Sequence, residues 1–114
     1  LLNGVAGDEF AIGFFGYAYY SQNQDVLSIV SVDDVVPTTT SVEDGSYLLA
    51  RPLFLYSDAG IMAEKPQVTD FITYYLTTVN DVIDEVGYFP SSKRGLRFAA
   101  LQLVAATDMM MEGM

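Results

Sequence analysis

Residues 44–56 read DGSYLLARPLFLY, and this stretch decides how the fold of the chain is interpreted. Tyr47–Tyr56 is apolar and long enough for an extended strand, but Pro52 stands in its middle. Proline has no N–H to donate to a sheet ladder, so a position inside a central strand is excluded. The stretch is therefore predicted to be an edge strand or a crossover between two structural layers.

Two shorter apolar runs upstream predict further strands. Phe10–Phe15 reads FAIGFF and is rich in aromatic residues, while Val26–Val32 reads VLSIVSV and alternates in part. A short helix is predicted between them, over Tyr17–Gln22. Ser41–Gly45 has the Ser-x-x-Asp form of a capping box, which predicts about one turn of helix.

Downstream of the long stretch, the sequence predicts three helices. Pro66 suits a first helical position, and apolar residues follow at helical spacing to Val79, which predicts a helix over Pro66–Val79. Asn80 is predicted to cap a second, short helix over Asp81–Val86. A final helix is predicted from Ser91 or Ser92 to about position 107. Strands that come first and helices that follow indicate a piece of a larger α/β fold.

Composition excludes several classes of function. The net charge is −10, from 15 acidic and 5 basic residues, and no Lys or Arg occurs before Arg51, so binding to nucleic acid is disfavoured. The chain contains no Cys and no His, which removes disulfides, thiol nucleophiles, Ser-His-Asp chemistry and the usual zinc sites. Adjacent acidic pairs such as Asp33-Asp34 lack a calcium-loop spacing. No metal, cofactor or enzymatic activity is predicted.

The sequence also bears on membranes and export. No apolar run approaches the roughly 20 residues of a membrane-spanning helix. The chain begins Leu1-Leu2-Asn3-Gly4, without a signal peptide and without Met, so we expect processing or truncation to have removed the true start.

Three ordered motifs resemble one known family. Residues 11–20, AIGFFGYAYY, are similar to the AIGYxGYAYY segment of the phosphate-binding proteins of ABC phosphate transporters. Residues 44–56 are similar to the family's DGSYPLSRPLFIY segment, and Val86–Pro90 resembles its VGYxP turn. The order and spacing of the motifs agree with the family, and the resemblance covers nearly the whole chain.

The resemblance implies a fold and a division of the chain. The fold would be the C-terminal part of a two-lobed α/β protein of the periplasmic-binding-protein type II class, with strands first and three C-terminal helices. Residues 1–46 would finish the second lobe, residues 47–57 would form the strand that crosses the hinge, and residues 58–114 would pack as helices on the first lobe.

The resemblance also implies a function. The protein would be a periplasmic or extracellular solute-binding protein, with lipid anchoring through a preceding segment as an option. It would capture inorganic phosphate and deliver it to the permease subunits of an ABC transporter. The family's principal phosphate-holding motifs, including its Arg-x-x-x-Ser-Gly-Thr segment, do not occur here. The chain should therefore depend on the rest of its polypeptide for those ligands.

Five residues remain as candidates for lining the ligand cleft. Gly13 and Gly16 would let the backbone approach a ligand, with Phe14 and Tyr17 beside them, although glycines here also suit tight packing. Arg51 would face an anion, or pair with a carboxylate such as Asp44 or Asp58. The alternatives in function are a structural or interaction protein of the same fold, such as an accessory subunit or adhesin, and a binder of another oxyanion.

Overall fold

The computed structural model describes residues 1–112, and this part of the chain folds into six helices. They are α1 (Leu2–Ala6), α2 (Tyr17–Ser21), α3 (Thr39–Glu43), α4 (Ala59–Glu64), α5 (Pro66–Val86) and α6 (Lys93–Glu112). Residues 1–112 contain no strand, and their β pairing is limited to one antiparallel bridge between Val32 and Val35. Positions 113 and 114 of the predicted C-terminal block lie outside the described residues.

The predicted α/β fold with strands first is wrong for this chain, because the chain is helical and lacks a sheet in its described part. The three runs predicted as strands, at 10–15, 26–32 and 47–56, form no ladder. A helix satisfies its backbone hydrogen bonds internally, whereas a strand requires a neighbouring strand to pair with. An alternating apolar pattern indicates that a segment favours extended structure, but it does not show that a second strand is present to pair with it.

The single bridge closes a tight two-residue turn. Val32 N–H donates to Val35 O at 2.9 Å, and Val35 N–H donates to Val32 O at 3.0 Å. Asp33 and Asp34 have φ of 50° and 62°, which is the left-handed region for both central residues, as in a type I′ turn. Two aspartates replace the Asn-Gly pair that this turn favours.

The chain divides into two compact units. Unit 1 comprises residues 1–50 and 82–90, and unit 2 comprises residues 51–81 and 91–114. In unit 1, α3 begins at a capping box in which Thr38 Oγ1 accepts from Ser41 N and Ser41 Oγ accepts from Thr38 N. The predicted box at Ser41 is therefore misplaced by about one turn, because Ser41 is the third helical residue and Thr38 is the cap.

In unit 2, α4 packs against α6 and buries Met62. Both helices begin with a side-chain cap. Asp58 Oδ1 accepts from Ile61 N at 2.9 Å, and Ser92 Oγ accepts from Gly95 N at 3.0 Å. The predicted start of the final helix near Ser92 is confirmed, and this helix continues past position 107 to Glu112.

Helix α5 is longer than predicted. It runs without a break through Asn80 to Val86, so the predicted end at Val79 and the separate short helix are wrong. Asn80 does not cap, because its side-chain amide bonds to the backbone of Ser91 rather than to amides of its own helix. The apolar spacing itself predicted the helix correctly, and Ile72 and Val79 of that face are buried.

Little of the apolar content of the chain is buried. The accessible surface is 8912 Å². A folded monomer of 12.5 kDa is expected to expose about 6,200 Å². Among the residues that the structure describes, the buried apolar side chains are Leu27, Met62, Ile72 and Val79. Exposed aromatic and aliphatic side chains therefore make up much of the surface of both units.

Candidate functional site

Four of the five predicted cleft residues lie in and just after the irregular segment at residues 10–16 of unit 1. Phe14 is 75% exposed there. Gly16 is the N-cap of α2, with φ −61° and ψ 143°, and its carbonyl accepts from Tyr19 N at 3.1 Å. Tyr17 is the first residue of the helix and is half-buried. The segment and the first turn of α2 therefore bring Gly13, Phe14, Gly16 and Tyr17 together.

The two glycines have different surroundings. A Cβ added to Gly13 would lie 2.6 Å from Val5 Cγ2 and 3.1 Å from Phe15 Cε1. Both atoms belong to side chains, so a residue larger than glycine at this position would force Val5 or Phe15 to move. A Cβ added to Gly16 would meet only Tyr19 Cδ2, at 3.9 Å, an ordinary contact. Tight packing thus accounts for Gly13, while the backbone of Gly16 stands in open space.

Helix α2 is held by the segment that follows α5. The ring centroids of Tyr17 and Phe89 are 4.4 Å apart at an interplanar angle of 42°, close enough for direct aromatic packing. Tyr17 also packs on Tyr20, with centroids 5.6 Å apart. Ser21 Oγ donates to Ala18 O at 3.0 Å within the same helix. Phe89 therefore contacts the predicted cleft segment directly.

Gly87 brings this second segment close to α2. It has φ of 86° and is buried at the end of α5, where Gly87 N donates to Asp84 O and Tyr88 N to Ile83 O, the pattern of a Schellman motif. A Cβ at this position would lie 2.7 Å from Ser21 Oγ and 2.9 Å from Ala18 Cα. Glycine is required here for its backbone conformation and for the close approach to α2.

The sequence predicts that a helix ends at Gly87. It gives no sign that Gly87 or Phe89 lies beside the predicted site. The glycine and the following Tyr-Phe-Pro indicate a helix stop, which is local information. The contact between Phe89 and Tyr17 joins residues far apart in the chain, and no spacing in the sequence encodes it.

Arg51, the fifth candidate, lies in unit 2 at the start of the irregular segment between Ala50 and Asp58. Its side chain is exposed. The carboxylate of Asp58, one of its two predicted partners, caps α4 instead. Asp44, the other, lies in unit 1, where its Oδ1 accepts from Ser46 N at 2.8 Å. Hydrogen bonds from Ser46, first from its side chain and then from its backbone, hold the pKa of Asp44 below its ordinary value.

Unit 1 also contains an open groove of about 370 Å³, lined by Leu1, Leu2, Asn3, Phe15 and Tyr19. Its lining is mostly apolar, and none of the five predicted residues takes part in it. Among residues 1–112, no group of His, Cys, Asp and Glu side chains is placed to hold a metal ion. No helix in this part of the chain is both long enough and apolar enough to cross a bilayer.

Comparison with curated proteins finds relatives with consistent names. The phosphate-binding protein PstS of Staphylococcus epidermidis is 30% identical over 99 residues, which cover 82% of this chain and 30% of that protein. PstS of Staphylococcus aureus strain USA300 is 30% identical over 113 residues, covering 95% of this chain and 35% of the relative. Protein SphX of Synechocystis is 35% identical over 95 residues, which cover 79% of this chain and 28% of SphX.

The chain spans about a third of the length of these curated relatives. No protein-family profile matches it, and no solved structure matches it. The relationship therefore rests on sequence identity that extends over most of the chain, in three proteins of which two are named for phosphate binding. Over most of its length the chain is PstS-like, and it corresponds to a portion of the phosphate-binding proteins of that name.

Proposed function

We propose that the polypeptide carrying this chain captures inorganic phosphate outside the cytoplasmic membrane and passes it to the permease of an ABC transporter. The observation that carries the proposal is the 30% identity to PstS of Staphylococcus aureus over 95% of the chain. The relatives are named as binding proteins, which supports capture without covalent chemistry. The chain, without His and Cys, also lacks the side chains on which most nucleophilic mechanisms depend.

A net charge of −10 is compatible with capture of an anion. Oriented N–H and O–H donors hold buried anions without neutralising them, and hydrogen bonds to a charged group are stronger than those between neutral groups. In unit 1 the backbone of Gly16 stands open beside Tyr17. We place Gly13–Tyr17 at the wall of the ligand cleft, and we assign the principal donors to parts of the polypeptide that this chain does not span.

The large exposed apolar surface supports a role as part of a larger fold. The accessible surface exceeds that of an average monomer of this mass by about 2,700 Å². Monomeric proteins rarely expose contiguous apolar patches beyond a few hundred Å². We propose that the remainder of a PstS-like polypeptide covers the exposed apolar side chains of α5 and α6, among them Phe71, Phe98 and Leu101.

We further propose a role for residues 47–57, as the segment that crosses between two lobes, with residues 1–46 in one lobe and residues 58–114 packing on the other. The division between units 1 and 2 after Ala50 supports the place of this crossing, because it falls inside residues 47–57, while the chain returns to unit 1 over residues 82–90. Residues 51–58 are irregular and exposed, and Pro52 removes one backbone donor from them. Such a segment bends more readily than a helix.

The test is isothermal titration calorimetry on the full-length polypeptide, with inorganic phosphate as ligand and sulfate as the matched oxyanion. We expect saturable heat with phosphate and none with sulfate at the same concentration. Absence of heat with phosphate, together with clear binding of another oxyanion, would overturn the assignment of the ligand. Absence of binding to any oxyanion would favour the structural or interaction role.

The crossing segment has its own test in hydrogen–deuterium exchange. If residues 47–57 bend when the ligand is captured, the amides of residues 53–56 should exchange at a different rate with phosphate bound. The amides in the middle of α5, such as those of Ile72 and Val79, serve as the internal control because both residues are buried. Equal changes in both segments would contradict a hinge.

A further inference from the structure

Helix α2 depends on contacts from outside itself. It has five residues, Tyr17–Ser21, and its N-cap Gly16 provides no side-chain hydrogen bond. Helices of this length are unstable alone, because nucleation fixes several residues for a single hydrogen bond. Glycine at the cap also leaves the first amides of the helix without a side-chain acceptor. The order of the Gly16–Tyr17 backbone must therefore come from packing.

The structure shows which residues supply that packing. Phe89 places its ring against Tyr17, with centroids 4.4 Å apart, at the first position of the helix. Gly87 brings the backbone of the same segment against Ala18 and Ser21, so closely that an added Cβ would lie 2.9 Å from Ala18 Cα. Gly87 and Phe89 thus contact α2 from its first residue, Tyr17, to its last, Ser21.

We propose that Gly87 and Phe89 are positioning residues for the ligand cleft. They fix the N-terminal turn of α2, and through it the backbone of Gly16 and Tyr17 that lines the cleft. The inference rests on the proposed capture of phosphate, and it adds two residues that do not themselves touch the ligand. When these contacts are lost, the competent arrangement of the segment becomes a minor population, and the apparent dissociation constant rises in inverse proportion to that population.

The first experiment compares Gly87→Ala with Gly45→Ala in the full-length polypeptide. Both glycines lie in the left-handed region, with φ of 86° and 78°, so both substitutions strain the backbone. An added Cβ at Gly45 meets nothing within 4 Å, whereas one at Gly87 collides with α2. Calorimetric titration with inorganic phosphate should show affinity at least about tenfold weaker for Gly87→Ala than for Gly45→Ala.

The second experiment uses Phe89, whose replacement adds no backbone strain. Phe89→Ala removes the ring against Tyr17 and should weaken phosphate binding. Phe89→Tyr retains a ring of the same size and should restore the affinity of the unaltered protein. A residue that only contributes to global stability would give equal affinity in both variants once each is shown to be folded.

Exchange at the amides of Tyr19 and Asn23 provides a readout that needs no ligand. Tyr19 N donates to Gly16 O and Asn23 N to Tyr20 O, so their protection reports the order of α2. Protection should fall in Gly87→Ala and Phe89→Ala, and it should persist in Gly45→Ala and Phe89→Tyr. Equal protection and equal affinity across the four variants would overturn the inference.

The two proposals fail in distinguishable ways. If the unaltered polypeptide binds no phosphate, the proposed function fails, and the assignment of a ligand-positioning role fails with it. The exchange data would still decide whether Gly87 and Phe89 hold α2. If phosphate binds normally in every variant, the proposed function stands and the positioning role is refuted.

Discussion

The side-chain amide of Asn80 forms a pair of hydrogen bonds with the backbone of Ser91. Asn80 Nδ2 donates to Ser91 O at 2.7 Å, and Ser91 N donates to Asn80 Oδ1 at 3.0 Å. An asparagine thus acts as a short strand edge would, by satisfying both polar groups of one residue. Within unit 2, it fixes the chain next to Ser92, which caps α6.

Replacing Asn80 by alanine should lower the free energy of unfolding by about 1 kcal/mol, because two partly solvated hydrogen bonds are lost. Asn80→Asp keeps the acceptor for Ser91 N, but it replaces the donor by a carboxylate oxygen that repels Ser91 O, so its loss should be at least as large. Urea titration of the full-length polypeptide measures both. Gln67→Ala, at an exposed position of the same helix, is the control and should change little. An Asn80→Ala effect no larger than that of Gln67→Ala would contradict this role.

Ser41 should be the most sensitive residue of α3. It is buried, its Oγ accepts from Thr38 N at 2.8 Å, and it donates to Val36 O at 2.7 Å. Ser41→Ala should lower the free energy of unfolding by about 1–2 kcal/mol, since it breaks the capping box and also removes the hydrogen bond to Val36 O. Thr40→Ala, at an exposed position of the same helix, is the matched control. Thermal or urea unfolding that ranks the two variants equally would refute the prediction.

A glycine in the turn at Asp33-Asp34 should stabilise the folded protein. Both residues have positive φ, a conformation that costs most residues about 1–2 kcal/mol and costs glycine little. Asp34→Gly should raise the free energy of unfolding by less than about 1 kcal/mol, because aspartate tolerates this region better than most residues and glycine gains entropy in the unfolded chain. Asp25→Gly removes a carboxylate from an exposed position without positive φ, and it should give no gain. A gain of equal size in both variants would point to charge rather than backbone conformation.

The pKa of the Asp44 carboxylate should depend on its hydrogen bonds from Ser46. Because the pKa of Asp44 in the folded protein lies below its ordinary value of 3.8, its contribution to stability is present above that value and is lost as the pH falls through the folded pKa. Ser46→Ala removes the larger cause and should raise the pKa of Asp44. NMR titration of the carboxyl carbon measures it, with Ser31→Ala as the control. An unchanged pKa of Asp44 in Ser46→Ala would exclude the side-chain hydrogen bond.

The sequence predicted helices better than it predicted extended structure. The spacing of apolar residues located α5, and the serine before Lys93 located the start of α6, because helices are decided by neighbours within a turn or two. The apolar runs at 10–15 and 26–32 carry the same kind of local information, but a strand also needs a partner. The end of α5 was misjudged at Asn80, since its partner Ser91 lies on the far side of a loop.

For the candidate site, the structure adds the surroundings of the residues that the sequence singled out. The motifs singled out Gly13 and Gly16, and the structure distinguishes them, since an added Cβ would crowd Val5 and Phe15 at Gly13 and would make only an ordinary contact at Gly16. The roles of Gly87 and Phe89 were not predictable, because a ring-to-ring contact between distant residues leaves no periodic trace in a single sequence. Cleft lining by Gly13–Tyr17 and by Arg51 remains a prediction.

The exposed segment after Ala50 has a consequence for protease mapping. Exposed, irregular backbone is ordinarily where a protease cuts first. Here, however, the bond after Arg51 leads into Pro52, and the bond after Lys65 leads into Pro66. Trypsin cleaves poorly before proline, so it should leave residues 1–93 joined and cut the chain only after Lys93, Arg94 and Arg97. An enzyme that cuts after aromatic residues would instead cleave inside this segment, at the exposed Phe54 or Tyr56.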